Sequence, residues 1–278
     1  MPIGISECAQ SVSHRNTASM ENCTVAFGIV AKTLKILVAT LKELTDEINI
    51  GFYAEGIKIS TMDSAHISLI DCRIRAENLP FYHCQRNLVL GIQIDPLHMV
   101  LSHAKNDCEL TLSKPPDAEA LEIVTKHTGN LARTATSRIP LIDIEAPAYE
   151  EEKHDYTAEM LFESQDFREI ITELYSMGDK VVIVLQPPTY ICFRLGGAIA
   201  DQGHENVLHP EASEKLGLKL SGPVHAEFAL SYLVKFCKAA DFKESVMVQL
   251  QTDQPGIFEF AFAEGFIRFY LAPQIHDD

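Results

Sequence analysis

The sequence repeats one pattern four times, an amphipathic helix that is in most cases followed by a pair of short strands. Apolar residues recur at the spacing of one helical face in four windows, residues 32–45, 95–106, 164–176 and 227–239. After most of these windows, apolar and polar residues alternate with a period of two, which predicts strands. Helices followed by hairpins predict an α+β fold with antiparallel sheets.

The four units predict two similar domains joined by a linker. We place the first domain at residues 22–139 and the second at residues 157–278. The linker, residues 140–156, contains Pro140, Pro147 and a polar run at 150–155, a composition typical of a solvated connection. Residues 1–21 are mostly polar and lack the apolar centre of a signal peptide, so we expect a flexible tail.

Composition excludes several classes of protein. Of the 278 residues, 46% are hydrophobic and 22% are charged, as in a soluble globular protein. No apolar run approaches the roughly 20 residues that a membrane-spanning helix needs, so we expect no membrane partner. The seven cysteines are odd in number and form no Cys-x-x-Cys pair, which favours an intracellular chain with buried thiols.

Charge is distributed unevenly along the chain. The formal net charge of −16 argues, taken alone, against non-specific attraction to phosphate. The acid is concentrated outside the helices, because the four windows together carry +1 and the other residues carry −17. Lys32, Lys35 and Lys42 lie opposite the leucine stripe of the first window, and Lys235 and Lys238 lie opposite that of the fourth. Such lysines face either water or a polyanion, and the pattern leaves both interpretations open.

No arrangement of residues in the sequence suggests catalysis. The chain contains neither a phosphate-binding Gly-x-x-x-x-Gly-Lys motif nor a His-Glu-x-x-His zinc motif. Cys84 follows His83 directly, but neighbouring residues of a strand point to opposite faces, which separates the thiol from the imidazole. We therefore predict that the chain is not an enzyme and that it uses no metal or cofactor.

Several segments resemble those of a known family. They lie at 60–69 (Ser-Thr-Met-Asp-Ser-Ala-His-Ile-Ser-Leu), 84–91, 106–112, 178–183, 228–233 and 269–275 (Phe-Tyr-Leu-Ala-Pro-Gln-Ile). In their order and approximate spacing, from about residue 22 to 275, the chain resembles the proliferating cell nuclear antigen family, the eukaryotic DNA sliding clamps. The resemblance implies three subunits of two similar domains that close head to tail around duplex DNA, with helices inside and sheets outside.

The resemblance also implies partners and a cellular role. It implies a nuclear homotrimer that serves as processivity factor for DNA polymerase and as docking platform for replication and DNA repair proteins. Expected partners are double-stranded DNA, the polymerase, the clamp loader and proteins with a PIP box, a short motif with apolar and aromatic anchors. The basic residues expected to face DNA are Lys35, Lys42, Lys105, Arg168, Lys235 and Lys238. Other expected basic positions hold Met99, Ser102, Glu169 and Thr172, so we expect weak contact with DNA.

A pocket for client peptides follows from the same resemblance. By position, its residues are Met62, His66, Leu69, Tyr156, Pro255, Ala272, Pro273 and Ile275. Leu141, Ile142 and Ile144 match the start of the interdomain linker, whereas Pro-Ala-Tyr-Glu at 147–150 replaces its usual apolar end. This departure leaves the affinity for clients open.

Two segments are expected to form the sheet that joins neighbouring subunits, residues 130–137 and the insertion at 196–210. Neither has the pattern of a strong strand, and Pro210 limits the second. Two alternatives to a homotrimeric replication clamp stay open. One is a subunit of a heterotrimeric checkpoint-type clamp, and the other is a protein-docking module that does not encircle DNA.

Overall fold

The computed structural model describes residues 23–127, 132–145, 155–196, 203–213 and 215–274. The α-helices in these ranges are α1 Ala31–Lys42, α2 Ile94–Ser102, α3 Ser164–Tyr175 and α4 Leu230–Phe236. The strands are β1 Val25–Val30, β2 Glu47–Tyr53, β3 Gly56–Met62, β4 Ser68–Arg75, β5 Tyr82–Cys84, β6 Leu88–Gln93, β7 Glu109–Lys114, β8 Ala120–His127, β9 Arg133–Pro140, β10 Ala158–Glu163, β11 Lys180–Gln186, β12 Tyr190–Leu195, β13 Glu205–Leu208, β14 Gly217–Leu220, β15 Val224–Ala229, β16 Ser245–Leu250, β17 Gly256–Phe262 and β18 Gly265–Leu271. The predicted tail, residues 1–21, lies outside the described residues, as does much of the predicted linker, 146–154.

The structure confirms the four predicted helices and the antiparallel strand pairs, but it corrects the bounds of the fourth helix. Residues 227–229 belong to β15, which pairs with β11 from Lys180↔Ala229 to Leu185↔Val224. The α-helix ends at Phe236, and Cys237–Phe242 continues as a 3₁₀ helix. The prediction was wrong there because apolar residues of the strand fall in phase with the stripe of the helix that follows.

The chain divides into two compact units. The first contains the described residues up to Lys35, Glu47–Lys58 and Ile74–Ile144. Its five-stranded sheet has the order β5-β1-β7-β8-β9, and each pairing is antiparallel. A second antiparallel pair, β2 with β6, runs from Glu47↔Gln93 to Phe52↔Leu88. In this unit α2 buries one face, which carries Ile94, Leu97 and Leu101.

The second unit contains Ile36–Asp46, Ile59–Arg73 and the described residues from Glu145 onwards. One of its sheets has the order β13-β12-β11-β15, and all its pairings are antiparallel. Another runs β14-β10-β16-β17-β18, again antiparallel, with β4 beside β18. Helices α3 and α4 contact each other in this unit.

Phenylalanine rings form much of the core of the second unit. Phe258 of β17 lies 6.1 Å from Phe167 of α3, 5.6 Å from Phe228 of β15 and 6.0 Å from Phe236 of α4, between ring centroids. Phe236 also stacks on Phe269 of β18 at 4.3 Å. These rings are completely buried, so they fix one face of each helix against the sheets and leave the opposite face outward.

Two segments expected at a sheet edge despite a weak strand pattern contain edge strands. Among the described residues, β9 pairs with β8 from Ala120↔Pro140 to His127↔Arg133, and β13 pairs with β12 from Ile191↔Leu208 to Arg194↔Glu205. Each lies at one end of the strand order of its sheet. Their pattern is weak because an edge strand buries little side-chain surface, so backbone hydrogen bonds hold it without an apolar alternation.

The cysteines of the described ranges form no disulfide bond with one another and are mostly buried, as predicted: Cys23, Cys72, Cys108, Cys192 and Cys237 are buried, and Cys84 is half-buried. Burial raises the pKa of Cys237 to about 12, so its thiol stays protonated at neutral pH. None of the described helices is both long enough and apolar enough to cross a membrane.

We expect Phe258→Ala to lower the free energy of unfolding by about 3–5 kcal/mol, because it removes a buried ring at the centre of the aromatic core. Urea unfolding at a fixed protein concentration measures this. Tyr175→Ala is the control, because that ring is 45% exposed, and we expect it to cost about 0.5 kcal/mol or less. Equal losses in the two variants would contradict this description of the core.

Candidate functional site

An apolar cluster lies at one side of the second unit. Leu69, Ile257 and Tyr270 are buried, and Met62 and Tyr156 pack against them partly exposed. We call these five residues the apolar cluster. Ile257 and Tyr270 are direct partners across the β17–β18 pair, so their side chains share one face of the sheet. The half-covered Met62 and Tyr156 make the cluster accessible from outside.

The structure brings together three of the predicted pocket residues, Met62, Leu69 and Tyr156. The sequence prediction missed Ile257 and Tyr270. The alternation of strands could have found them, because Ile257 is two residues after Pro255 and Tyr270 is two residues before Ala272.

Three further predicted pocket residues stand just before β17 or just after β18, the strands that carry Ile257 and Tyr270. Pro255 and Ala272 are exposed and Pro273 is half-buried. The Tyr156 hydroxyl lies 3.5 Å from the carbonyl oxygen of Pro255, which places this tyrosine beside the turn before β17. The last predicted pocket residue, Ile275, lies outside the described residues.

The loop between β3 and β4, residues 63–67, is held by the Asp63 carboxylate and, at its start, by a hydrogen bond from the Ser64 N–H to Leu44 O at 3.1 Å. Asp63 Oδ1 accepts hydrogen bonds from the backbone N–H groups of Ile67 (2.7 Å) and Ser68 (2.5 Å), and Oδ2 accepts one from Ala65 (3.0 Å). Within this loop His66 has a φ of 58°, in the left-handed region, and its side chain is exposed. The loop therefore presents His66 and Ile67 to solvent between Met62 and Leu69.

An ion pair stabilises Tyr270 of the apolar cluster. Arg268 binds Glu259 with two nitrogens, Nε at 2.8 Å and Nη2 at 2.6 Å, and donates from Nη1 to the Tyr270 hydroxyl at 3.0 Å. Both charged side chains are mostly covered, with 20% and 27% exposure. Both nitrogens donate to the same carboxylate oxygen, Glu259 Oε2, and this charge-assisted pair holds the guanidinium where it can bind the Tyr270 hydroxyl.

The three predicted linker residues, Leu141, Ile142 and Ile144, pack back onto their own unit by backbone hydrogen bonds. The N–H of Ile142 donates to Gly91 O at 2.9 Å, and Asn49 Nδ2 donates to Ile144 O at 3.2 Å. Leu141 N–H donates to Glu119 O at 3.0 Å. A Cβ at Gly91 would lie 2.4 Å from Ile142 O, so only glycine allows this close approach.

In the first unit, the predicted DNA-facing residues differ in their surroundings. Lys105 is exposed. Lys35 is half-buried, and its ammonium group donates to Ala104 O at 3.1 Å and to Asn106 Oδ1 at 3.0 Å, just beyond the end of α2. The nearby Met99, where a basic residue was expected, is 65% exposed. In this unit, therefore, the Lys35 ammonium is engaged by protein oxygens, whereas Lys32 and Lys105 are exposed.

In the second unit, acidic side chains accompany several of the basic ones. Arg168 Nη1 lies 2.7 Å from Asp241 Oδ1, and Lys238 Nζ lies 3.6 Å from Glu43 Oε1. Lys235 is half-buried, with its ammonium 5.5 Å from the centre of the Tyr232 ring, and Lys42 is exposed. Exposed pairs of this type contribute about 0–1 kcal/mol, so phosphate can replace the carboxylate at small cost.

The ranges that the structure describes contain no candidate metal site. No three His, Cys, Asp or Glu side chains there lie close enough together to hold an ion. The arrangement of these residues is suited to contacts with other molecules: an accessible apolar cluster and helices with basic residues on their outward faces.

The role of Asp63 in the 63–67 loop can be tested through the pH dependence of the free energy of unfolding. Burial alone would raise the pKa of Asp63, but its hydrogen bonds with Ser68, Ala65, Tyr232 and Ile67 outweigh burial and hold the pKa below 3.8. Because the folded-state pKa is lowered, the carboxylate stabilises the fold above the unfolded-state pKa, and this stabilisation is lost as the pH falls through the folded-state value.

We therefore expect Asp63→Asn to lower the free energy of unfolding at pH 7 by about 1.5–3 kcal/mol. The difference from the wild type should shrink as the pH falls below about 4. Urea unfolding as a function of pH measures both effects. Asp117→Asn, at an exposed position, is the control and should match the wild type at each pH. A difference that grows on acidification would contradict the assignment.

Comparison with known proteins agrees with this geometry. Residues 28–149 match the family model "Proliferating cell nuclear antigen, N-terminal domain", and residues 150–275 match the model of the C-terminal domain. The chain is 31% identical over 253 residues to the proliferating cell nuclear antigen of Chaetomium thermophilum, over 89% of this chain and 96% of the relative. The crystal structure of proliferating cellular nuclear antigen from Entamoeba histolytica matches with a TM-score of 0.81 and 27% identity, over 91% of this chain and 100% of that chain. The chain therefore belongs to the proliferating cell nuclear antigen family.

Proposed function

We propose that this chain is the subunit of a DNA sliding clamp that closes as a homotrimeric ring around duplex DNA in the nucleus. The observation that carries this proposal is the consecutive match to both domains of the family, from residue 28 to residue 275. DNA sliding and polymerase processivity are the functions of this family. A clamp is linked to DNA by topology, so it acts as a scaffold and needs no reaction at a catalytic site.

The sheet edges support ring closure. Among the described residues, β9 and β13 each end a sheet and leave one side of their backbone ladder without a strand partner. Such an edge is a template for a strand from another chain. β9 of one subunit and β13 of the next form a head-to-tail contact that closes when three copies are present, since this type of contact generates rings.

The basic side chains of the helices support weak contact with DNA. Lys42, Lys105 and Lys238 are exposed and Lys235 is half-buried, whereas Lys35 and Arg168 donate to protein oxygens and Lys238 lies near Glu43. The acid elsewhere on a chain of net charge −16 opposes tight, non-specific binding. A ring that slides requires contacts that form and break easily, and this balance of charge provides them.

The salt dependence of DNA association tests the weak contact. We expect the plot of log K against log salt concentration, measured by fluorescence anisotropy with a short linear duplex, to be shallower than six phosphate contacts produce, a slope of about −5. Lys238→Gln should weaken association by about two- to five-fold and make the slope shallower by about one unit.

The matched control is Lys219→Gln. It removes the same charge from an exposed lysine on β14, which is an edge strand and not one of the helices. We expect association to stay within the error of the wild type. A slope as steep as six contacts, or equal losses in the two variants, would contradict this account of the DNA-facing residues.

The apolar cluster supports the docking of client proteins. Leu69, Ile257 and Tyr270 provide a buried floor, and the half-covered Met62 provides an adaptable side chain. A short 3₁₀ turn with apolar and aromatic anchors has the shape and chemistry to cover such a floor, and buried anchors of this kind dominate binding energy. Polymerase, clamp loader and repair proteins are the clients that this proposal assigns.

We expect Ala272→Glu to weaken the binding of a fluorescent PIP-box peptide by ten-fold or more, because it adds a charged carboxylate on a longer side chain, four further heavy atoms in all, beside the apolar cluster. Titration by fluorescence anisotropy measures the Kd. Ala263→Glu makes the same change at an exposed alanine in the β17–β18 turn and should leave the Kd unchanged. Equal binding by the two variants would place the docking site elsewhere.

A further inference from the structure

A tyrosine of helix α4 reaches the carboxylate that holds the 63–67 loop. The Tyr232 hydroxyl donates a hydrogen bond to Asp63 Oδ2 at 2.9 Å. The Tyr232 ring is half-buried and lies 6.3 Å from the ring of Phe236, which is completely buried in the core. Tyr232 is therefore anchored in the helix at one end and bound to the loop at the other.

The Asp63 carboxylate has its acceptor sites filled. Oδ1 accepts from two backbone N–H groups, those of Ile67 and Ser68, and Oδ2 accepts from that of Ala65 and from Tyr232. A carboxylate has about four lone-pair sites, so the four donors satisfy it. Within the part of the chain that the structure describes, Tyr232 is the donor that comes from outside the loop and its flanking strand.

The loop needs this support because its conformation is costly. His66 has a φ of 58°, in the left-handed region that few residues other than glycine adopt; histidine is among the residues enriched there, but the conformation still persists only where its surroundings determine it. Asp63 as a residue is 5% exposed, so losing a donor leaves a largely buried carboxylate with one acceptor site unsatisfied. Removal of the tyrosine hydroxyl therefore favours other conformations of the loop.

We propose that Tyr232 is a positioning residue for client docking, and that its hydroxyl acts through Asp63 to hold the 63–67 loop beside the apolar cluster. This inference rests on the proposed docking function. The loop connects Met62 to Leu69, two members of the cluster, and presents Ile67, which is 46% exposed. A client that meets a loosened loop must order it on binding, which lowers affinity without loss of any contact residue. Helix α4 thus contributes to docking although its own side chains are not in the cluster.

The test combines two measurements on the full-length chain. The first is the Kd of a fluorescent PIP-box peptide, and the second is amide hydrogen exchange at residues 64–68. We expect Tyr232→Phe, which keeps the ring and its packing, to raise the Kd by about three- to ten-fold and to accelerate exchange at Ile67 and Ser68. Tyr175→Phe removes a hydroxyl from a 45% exposed tyrosine of α3 and should change neither.

A double-mutant cycle tests the path through Asp63. If Tyr232 acts through this carboxylate, Tyr232→Phe should cost clearly less peptide affinity in the Asp63→Asn chain than in the wild type. Fully additive losses would overturn that path. The melting temperature of each variant, measured alongside, separates loosening of the loop from general unfolding.

The two readouts also separate this inference from the docking proposal. Unchanged exchange in Tyr232→Phe overturns the inference, and faster exchange with an unchanged Kd overturns the role in docking. If the wild type binds no peptide, the proposed docking function fails, and the exchange data still decide whether the tyrosine hydroxyl holds the loop.

Discussion

The rest of the structure depends on burial of one apolar face of each helix against antiparallel strands. In the second unit this contact is made by stacked and tilted phenylalanine rings, with Phe258 among Phe167, Phe228 and Phe236. Because one face of the helix is committed to the core, the opposite face is left for polar and basic residues. The same packing fixes the β17–β18 pair, which carries Ile257 and Tyr270 of the apolar cluster. The core thus determines where both candidate binding surfaces lie.

The charge distribution of this chain differs from that of a protein that binds DNA tightly. Its net charge is −16, and the cations of its helices are partly engaged: Lys35 with the chain beyond α2, Arg168 with Asp241, and Lys238 near Glu43. A tight binder would present these charges without acidic neighbours. Encirclement removes that requirement, because a closed ring stays on DNA without strong contacts. Weak local contact and stable retention are therefore compatible in one molecule.

Much of the fold follows from the sequence, since helical and strand periodicity record which residues are buried. The pattern was least informative where burial is not recorded in it. The edge strand β9 carries mostly polar residues and is held by backbone hydrogen bonds, and Phe228 and Ala229 continue the apolar stripe of the fourth helix although they pair as a strand. The residues of the candidate site were likewise predictable only where a local sequence pattern marks them. Met62 and Leu69 were found from a family motif, whereas the contact of Tyr232 with Asp63 joins residues 169 apart in the chain, and no local pattern encodes it.

The central claim is that copies of this chain close into a ring, and absolute molar mass in solution tests it most directly. Light scattering across a dilution series gives that mass without reference to shape. The account predicts a species of three times the chain mass of 30.9 kDa, stable over a range of concentrations because the edges of β9 and β13 are paired between subunits. A monomer at every concentration would contradict a self-closing ring.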